Sequence, residues 1–140
     1  MMYSGEDSSH LIWTGAVIAI ITYLVGGIDK LFTAFCIFML VDYITGVLAA
    51  WYNRSLSSQE GFRGIAKKVG MFAFIIIANQ LDLISGSSQG FLRDTIILFM
   101  IGNEGISILE NCHRLGLPVP DFLLRALQNV KKFKKDDNWK

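Results

Sequence analysis

Three carboxylates fall inside otherwise apolar runs of this 140-residue chain: Asp42, Asp82 and Glu104. Insertion scales put the cost of a carboxylate at the centre of a bilayer at about 2.5 to 3.5 kcal/mol. Such a group must face other helices, a partner subunit or water. Neutral polar and small residues accompany these acids. Asp42, Thr45, Gly46, Ala49 and Asn53 share one helical face. Asn79 stands one turn before Asp82. Asn103, Glu104, Ser107, Glu110 and Asn111 form a further polar stripe. Stripes of this kind either line a water-filled path or pair with one another inside a packed bundle. Interhelical hydrogen bonds contribute only about 0.6 kcal/mol on average, so stability alone is a weak reason to bury so many. The reading favours a bundle interior or pore lining made by Asp42, Thr45, Gly46, Asn79, Asp82, Asn103, Glu104 and Ser107.

Other chemistry finds little support. Cys112 and His113 are adjacent, but His10 is the one further histidine, which is no zinc spacing. Ser107 and His113 could pair as nucleophile and base, yet no motif surrounds them. Cys36 lies within an apolar run and reads as a small packing residue. Gly61 and Gly64 lack the Gly-Lys-Ser or Gly-Lys-Thr ending of a phosphate-binding loop. We expect no enzyme, no cofactor and no metal. A net charge of +1 gives no basic excess for nucleic acid, and two cysteines make no disulfide scaffold.

The elements that carry these residues are set by composition. Apolar residues make up 52% of the chain and charged residues 18%, against about 25% charged in ordinary soluble proteins. Mean hydropathy is +0.43. A soluble domain this small would expose large apolar patches. The expected fold class is therefore all-α integral membrane, with about four transmembrane helices and three as the alternative. Four runs are long enough at about 1.5 Å per residue: 11–28, 31–52, 69–84 and 91–109. With no Lys or Arg before it, the first is expected to remain as a span and not be removed as a signal peptide. Asp29-Lys30 makes a tight turn. Ser57 and Glu60 have capping-box spacing, which starts a helix near Ser58. Gly116 can stop the fourth helix, and Pro118 and Pro120 enforce an extended link.

Residues 1–112 then form the transmembrane bundle and 113–140 a cytoplasmic basic tail. In that tail Asp121 caps an amphipathic helix with Leu123, Leu127 and Val130 on one face. Of the 13 Lys and Arg residues, all but Lys30 and Arg93 lie between runs two and three or after run four. The positive-inside rule places both segments in the cytoplasm. Two basic flanks need an even number of crossings between them, so runs three and four either both cross or both lie on the surface. Arg63, Lys67, Lys68, Lys131, Lys132, Lys134 and Lys135 are expected at the membrane surface, against anionic lipid.

The order of short motifs resembles one family. Asp42-x-x-Thr45-Gly46 comes first, followed by Ser58-x-x-Gly61-x-x-Gly64-x-x-Lys67-Lys68. An apolar run ending in Asp82 follows, then Glu104-x-x-Ser107-Ile108-x-Glu110-Asn111 and Gly116-Leu117-Pro118-Val119-Pro120. Over roughly residues 40 to 125 the chain resembles the holins of phage lysis and clostridial toxin secretion. The resemblance implies a multi-pass protein of the bacterial cytoplasmic membrane, with its C-terminus in the cytoplasm. It implies a homo-oligomer that opens lesions, through which an endolysin or a toxin escapes. An antiholin is a further implied partner. Two other readings use the same residues: a small ion or solute channel or transporter, and an antiholin or membrane adaptor.

Overall fold

The computed structural model describes residues 5–86 and 89–125, which form four helices joined by short connections, with no strand among them. They are α1 (Gly5–Val25), α2 (Lys30–Tyr52), α3 (Ser58–Ile84) and α4 (Phe91–Arg114). The helices alternate in direction. The ends of α1 and α3 meet the starts of α2 and α4 at one end of the bundle, here called the outer end. The α2–α4 pair packs most closely, α3 lies against α4, and α1 rests on α3.

Each boundary has a local cause. Asp29 is the N-cap of α2, and its carboxylate accepts from the Phe32 N–H at 2.8 Å. The helix predicted near Ser58 does begin there with Ser57 as N-cap, but the Ser57 side chain makes no capping bond. α4 ends at a Schellman turn. Gly116, at φ +79°, donates to the His113 carbonyl, and Leu117 donates to the Cys112 carbonyl. Beyond the prolines, residues 121–125 are helical, with the Pro120 carbonyl accepting from Leu123 and Leu124. Asp121 thus enters the first turn instead of preceding it. Leu127, Val130, Lys131, Lys132, Lys134 and Lys135 lie outside the described residues.

The apolar core occupies the middle of the bundle. Val25, Phe32, Phe35, Met39, Met71, Ile75, Ile97 and Met100 form it. Phe32, Phe35 and Phe72 pack with ring centroids 5.7–6.3 Å apart, edge-on or tilted. Small residues let α2 and α4 approach. Ala49 is fully buried, a Cβ on Gly46 would stand 3.4 Å from the Asn111 amide, and one on Gly105 would stand 3.5 Å from Phe38.

Two helices, not the expected four, are apolar enough throughout to cross a membrane: Ser8–Val25 and Lys30–Tyr52. Their outer surfaces carry apolar side chains, with Leu11, Ile12 and Trp13 at 70–72% exposure. α3 and α4 have the length but carry more polar residues. The most buried of these, Asn79, Asp82, Arg93, Glu104 and Asn111, face into the bundle. Their outward residues, among them Phe74, Ile77, Leu98 and Phe99, are apolar.

The α1–α2 turn is conformationally demanding. Gly26 has φ +80°, and a Cβ there would overlap the Asn79 side-chain oxygen. Gly26→Ala should destabilise the bundle by at least the about 1–2 kcal/mol of a left-handed non-glycine residue. The measurement is the equilibrium unfolding midpoint in mixed micelles followed by helical circular dichroism. Gly15→Ala, which meets nothing within 4 Å, should leave it unchanged.

Candidate functional site

The polar residues of the bundle form two layers, one on each side of the apolar core. At the inner end Lys68 of α3 reaches between its neighbours. Its Nζ lies 2.9 Å from Asp42 Oδ2 on α2 and 2.5 Å from Glu104 Oε2 on α4. Glu104 is fully buried, and its other oxygen, Oε1, has the Lys67 ammonium at 3.9 Å. Asn111 closes the cluster. Its amide nitrogen lies 3.2 Å from Asp42 Oδ1, 3.3 Å from the Asp42 carbonyl and 3.2 Å from the Thr45 hydroxyl oxygen. The Thr45 hydroxyl donates in turn to the Val41 carbonyl at 2.8 Å, which leaves its lone pair for Asn111. Two carboxylates thus face two consecutive ammonium groups. A buried charge is tolerable only when paired in this way.

The outer layer ties the chain ends together. Arg93 donates from Nε to the Val25 carbonyl at 2.6 Å and from Nη2 to the Gly27 carbonyl at 2.7 Å. Its Nη1 pairs with Asp29 at 2.6 Å and with Asp94 at 2.9 Å. Asn79 donates to the Tyr23 and Leu24 carbonyls at 3.1 and 3.0 Å. The terminal carbonyls of α1, which its own backbone cannot satisfy, are taken by α3 and α4. Asp82, on α3, accepts from the Leu92 and Arg93 N–H groups at 3.1 and 2.8 Å. It caps α4 across the bundle, where Gly90 has no side chain to do so.

The eight residues read from the sequence as one interior therefore separate. Asp42, Thr45, Gly46 and Glu104 meet at the inner layer. Asn79 and Asp82 belong to the outer one, about 16 and 21 Å from Lys68 along α3 at about 1.5 Å per residue. Ser107 lines a cavity beside the inner cluster. Asn103 is half-buried and makes no hydrogen bond to either layer. Among the basic residues read as membrane-surface contacts, Arg63 and Lys67 are exposed, whereas Lys68 turns inward. Sequence reasoning passed over Lys68, Arg93 and Asp29 as interior partners. A signal for Lys68 was present. Positions 68, 71, 75, 79 and 82 follow one helical face, and Lys67 lies about 100° away from it.

The cavity has a volume of about 330 Å³ and opens between the end of α2, the start of α3 and the end of α4. Among the described residues no group of histidine, cysteine or acidic side chains is placed to hold a metal ion.

Residues 19–132 match the model of the bacteriophage holin family. The chain belongs to that family. A Bacillus phage phi105 protein named as a probable holin is 34% identical over 82% of this chain and 87% of its own. An uncharacterized Listeria monocytogenes protein is 47% identical over 75% of this chain and 74% of its own. A Clostridium perfringens protein, described as a 14.9 kDa protein in the nagH 3′ region, is 37% identical over 81% and 86%. No solved structure matches the chain. Within this holin-family chain the matched segment includes both polar layers, and most of α1 lies before it.

Two predictions follow from the layers. Lys68→Met leaves two carboxylates without their shared partner and should cost about 3–5 kcal/mol, as breaking buried ion pairs does. Adding Glu104→Gln should recover part of that loss, measured by unfolding in mixed micelles. At the outer turn, partial burial acts to raise the Asp29 carboxyl, but the Arg93 guanidinium and the Phe32 N–H outweigh it and hold it below the usual carboxylate range. Its contribution is complete above the unfolded value of about 3.9 and is lost as pH falls through the lower folded value. Asp29→Asn should therefore flatten that part of the acid limb in a pH series of unfolding midpoints.

Proposed function

We propose that this chain is a holin that accumulates in the bacterial cytoplasmic membrane, oligomerises and opens lesions. An endolysin or a secreted toxin would leave through them. The observation that carries the reading is the family match over residues 19–132, to which the phage relative adds a protein named as a probable holin. The geometry is compatible with it. In the proposed topology all four helices cross, with the bundle at 1–112 and the basic segment 113–140 in the cytoplasm. The most buried polar groups of α3 and α4 face into the bundle, and Lys68 and Arg93 are paired with carboxylates there.

The mechanism follows from the inner cluster. In the closed bundle Lys68, with Lys67 beside it, balances the charges of Asp42 and Glu104, so the protein accumulates without a wet path. When copies crowd together, inter-subunit packing through the small α2 face competes with the α2–α4 contact around Gly46 and Ala49. The charges that lose their internal partner then favour water over lipid. Asp42, Thr45, Glu104 and Ser107 are the residues this opening turns toward a lumen, with Asn103 beside them. Asn79, Asp82 and Arg93 keep the outer ends of the helices together meanwhile.

The test is culture turbidity after induction, with and without a cytoplasmic endolysin that has no export signal. Abrupt clearing only when both are made is the expected result. Loss of membrane potential without clearing would indicate a smaller channel, and normal growth despite verified insertion would indicate an antiholin or adaptor. Asp42→Asn should shift the time of clearing without preventing insertion, and unchanged timing would count against the mechanism.

A further inference from the structure

The inner-end cavity borders the charge cluster, with Asp42 and Lys68 in its inner wall, and its outer walls have an uneven chemistry. Its volume of about 330 Å³ lies within the about 300–1,000 Å³ of small-ligand sites. One side carries cations. Lys67 is half-exposed, and its contact with Glu104 at 3.9 Å leaves its ammonium donors largely unused. Arg114 is exposed at the end of α4 and lines the same cavity. The α3 wall adds the Glu60 carboxylate and two glycines. A Cβ on Gly61 or Gly64 would meet nothing within 4 Å, so these positions keep open space that ordinary residues would narrow. Leu56 lines the cavity at 64% exposure, Phe62 early in α3 is 73% exposed, and Trp51 and Tyr52 at the end of α2 border Leu56.

We propose that this cavity binds a glycerophospholipid headgroup of the phosphatidylglycerol type. The phosphodiester would sit between Lys67 and Arg114, where charge-assisted hydrogen bonds to phosphate are strong. The glycerol hydroxyls would donate to Glu60, which a headgroup without donors cannot do. The acyl chains would leave past Leu56 and Phe62 into the bilayer. A soluble phosphate monoester such as glycerol 3-phosphate shares the phosphate chemistry and is separated by the test. This site rests on the membrane placement proposed above.

The experiment is native mass spectrometry of the full chain in neutral micelles containing equimolar phosphatidylglycerol and phosphatidylcholine. The protein should retain phosphatidylglycerol at least about fivefold over phosphatidylcholine, in a one-to-one complex. Gly61→Leu, whose Cβ has open space and whose side chain would occupy the cavity, should abolish the preference, as should Lys67→Gln with Arg114→Gln. Helical circular dichroism checks that each variant is folded. Retention without preference, or variants that retain phosphatidylglycerol as the wild type does, would overturn the proposal. Binding of glycerol 3-phosphate that is lost in the same variants, with no lipid retained, would overturn the lipid assignment and leave a soluble phosphate ester. Resistance of the chain to carbonate extraction from membranes is scored separately. Its failure sinks the membrane reading, while the micelle and glycerol phosphate results still decide the site.

Discussion

The ammonium of Lys68, set between Asp42 and Glu104, is the interaction on which the inner half of this bundle depends. Carboxylates on α2 and α4 would repel each other across the closest helix pair in the structure. Lys68 replaces that repulsion with two ion pairs and joins α3 to both helices. Lys67 adds the second positive charge, and Asn111 satisfies the remaining Asp42 oxygen. Removing Lys68 leaves both acids without their shared partner, so the cluster depends most on that one ammonium.

The outer layer meets a different need. Helix ends leave backbone groups without partners, and in an apolar setting each such group is costly. Here side chains from distant helices supply them. Arg93 and Asn79 take carbonyls of α1 and of the turn after it, and Asp82 takes amides of α4. The Arg93–Asp29 pair then joins the start of α2 to the start of α4. Between the layers, aromatic and aliphatic side chains fill the core without polar demands. The result is a bundle with polar connections at two levels and apolar contact between them, sheathed by apolar side chains on α1 and α2.

This arrangement bears on how a membrane protein can be both quiet and disruptive. A bundle whose charges are matched internally presents lipid with an apolar surface. The same charges, once separated by competing contacts, have no favourable place except beside water. Under the proposed holin mechanism, that contrast would give a physical basis for a protein that accumulates first and opens later. That mechanism would place the tipping point in the α2–α3–α4 contacts, not in the turns.

Much was legible in the residues themselves. Composition pointed to helices in an apolar medium, because so few charged residues cannot cover a soluble surface, and α1 and α2 are apolar enough throughout to cross a membrane. The positions of α1, α2 and the α3 start followed from apolar length, Asp29 and Ser57, since helix boundaries are local events. Asp42 and Glu104 announced themselves as interior because a carboxylate in an apolar run has nowhere else to go. Which partner each would take was decided only by the fold. Lys67 and Lys68 look alike in the sequence, yet about 100° of helical rotation sends one outward and the other to two acids. Arg93 looked like a charge at a helix start, and Asp82 like a second member of the Asp42 site. The tertiary structure separated the layers, because pairing depends on distances across helices that one-dimensional spacing does not contain.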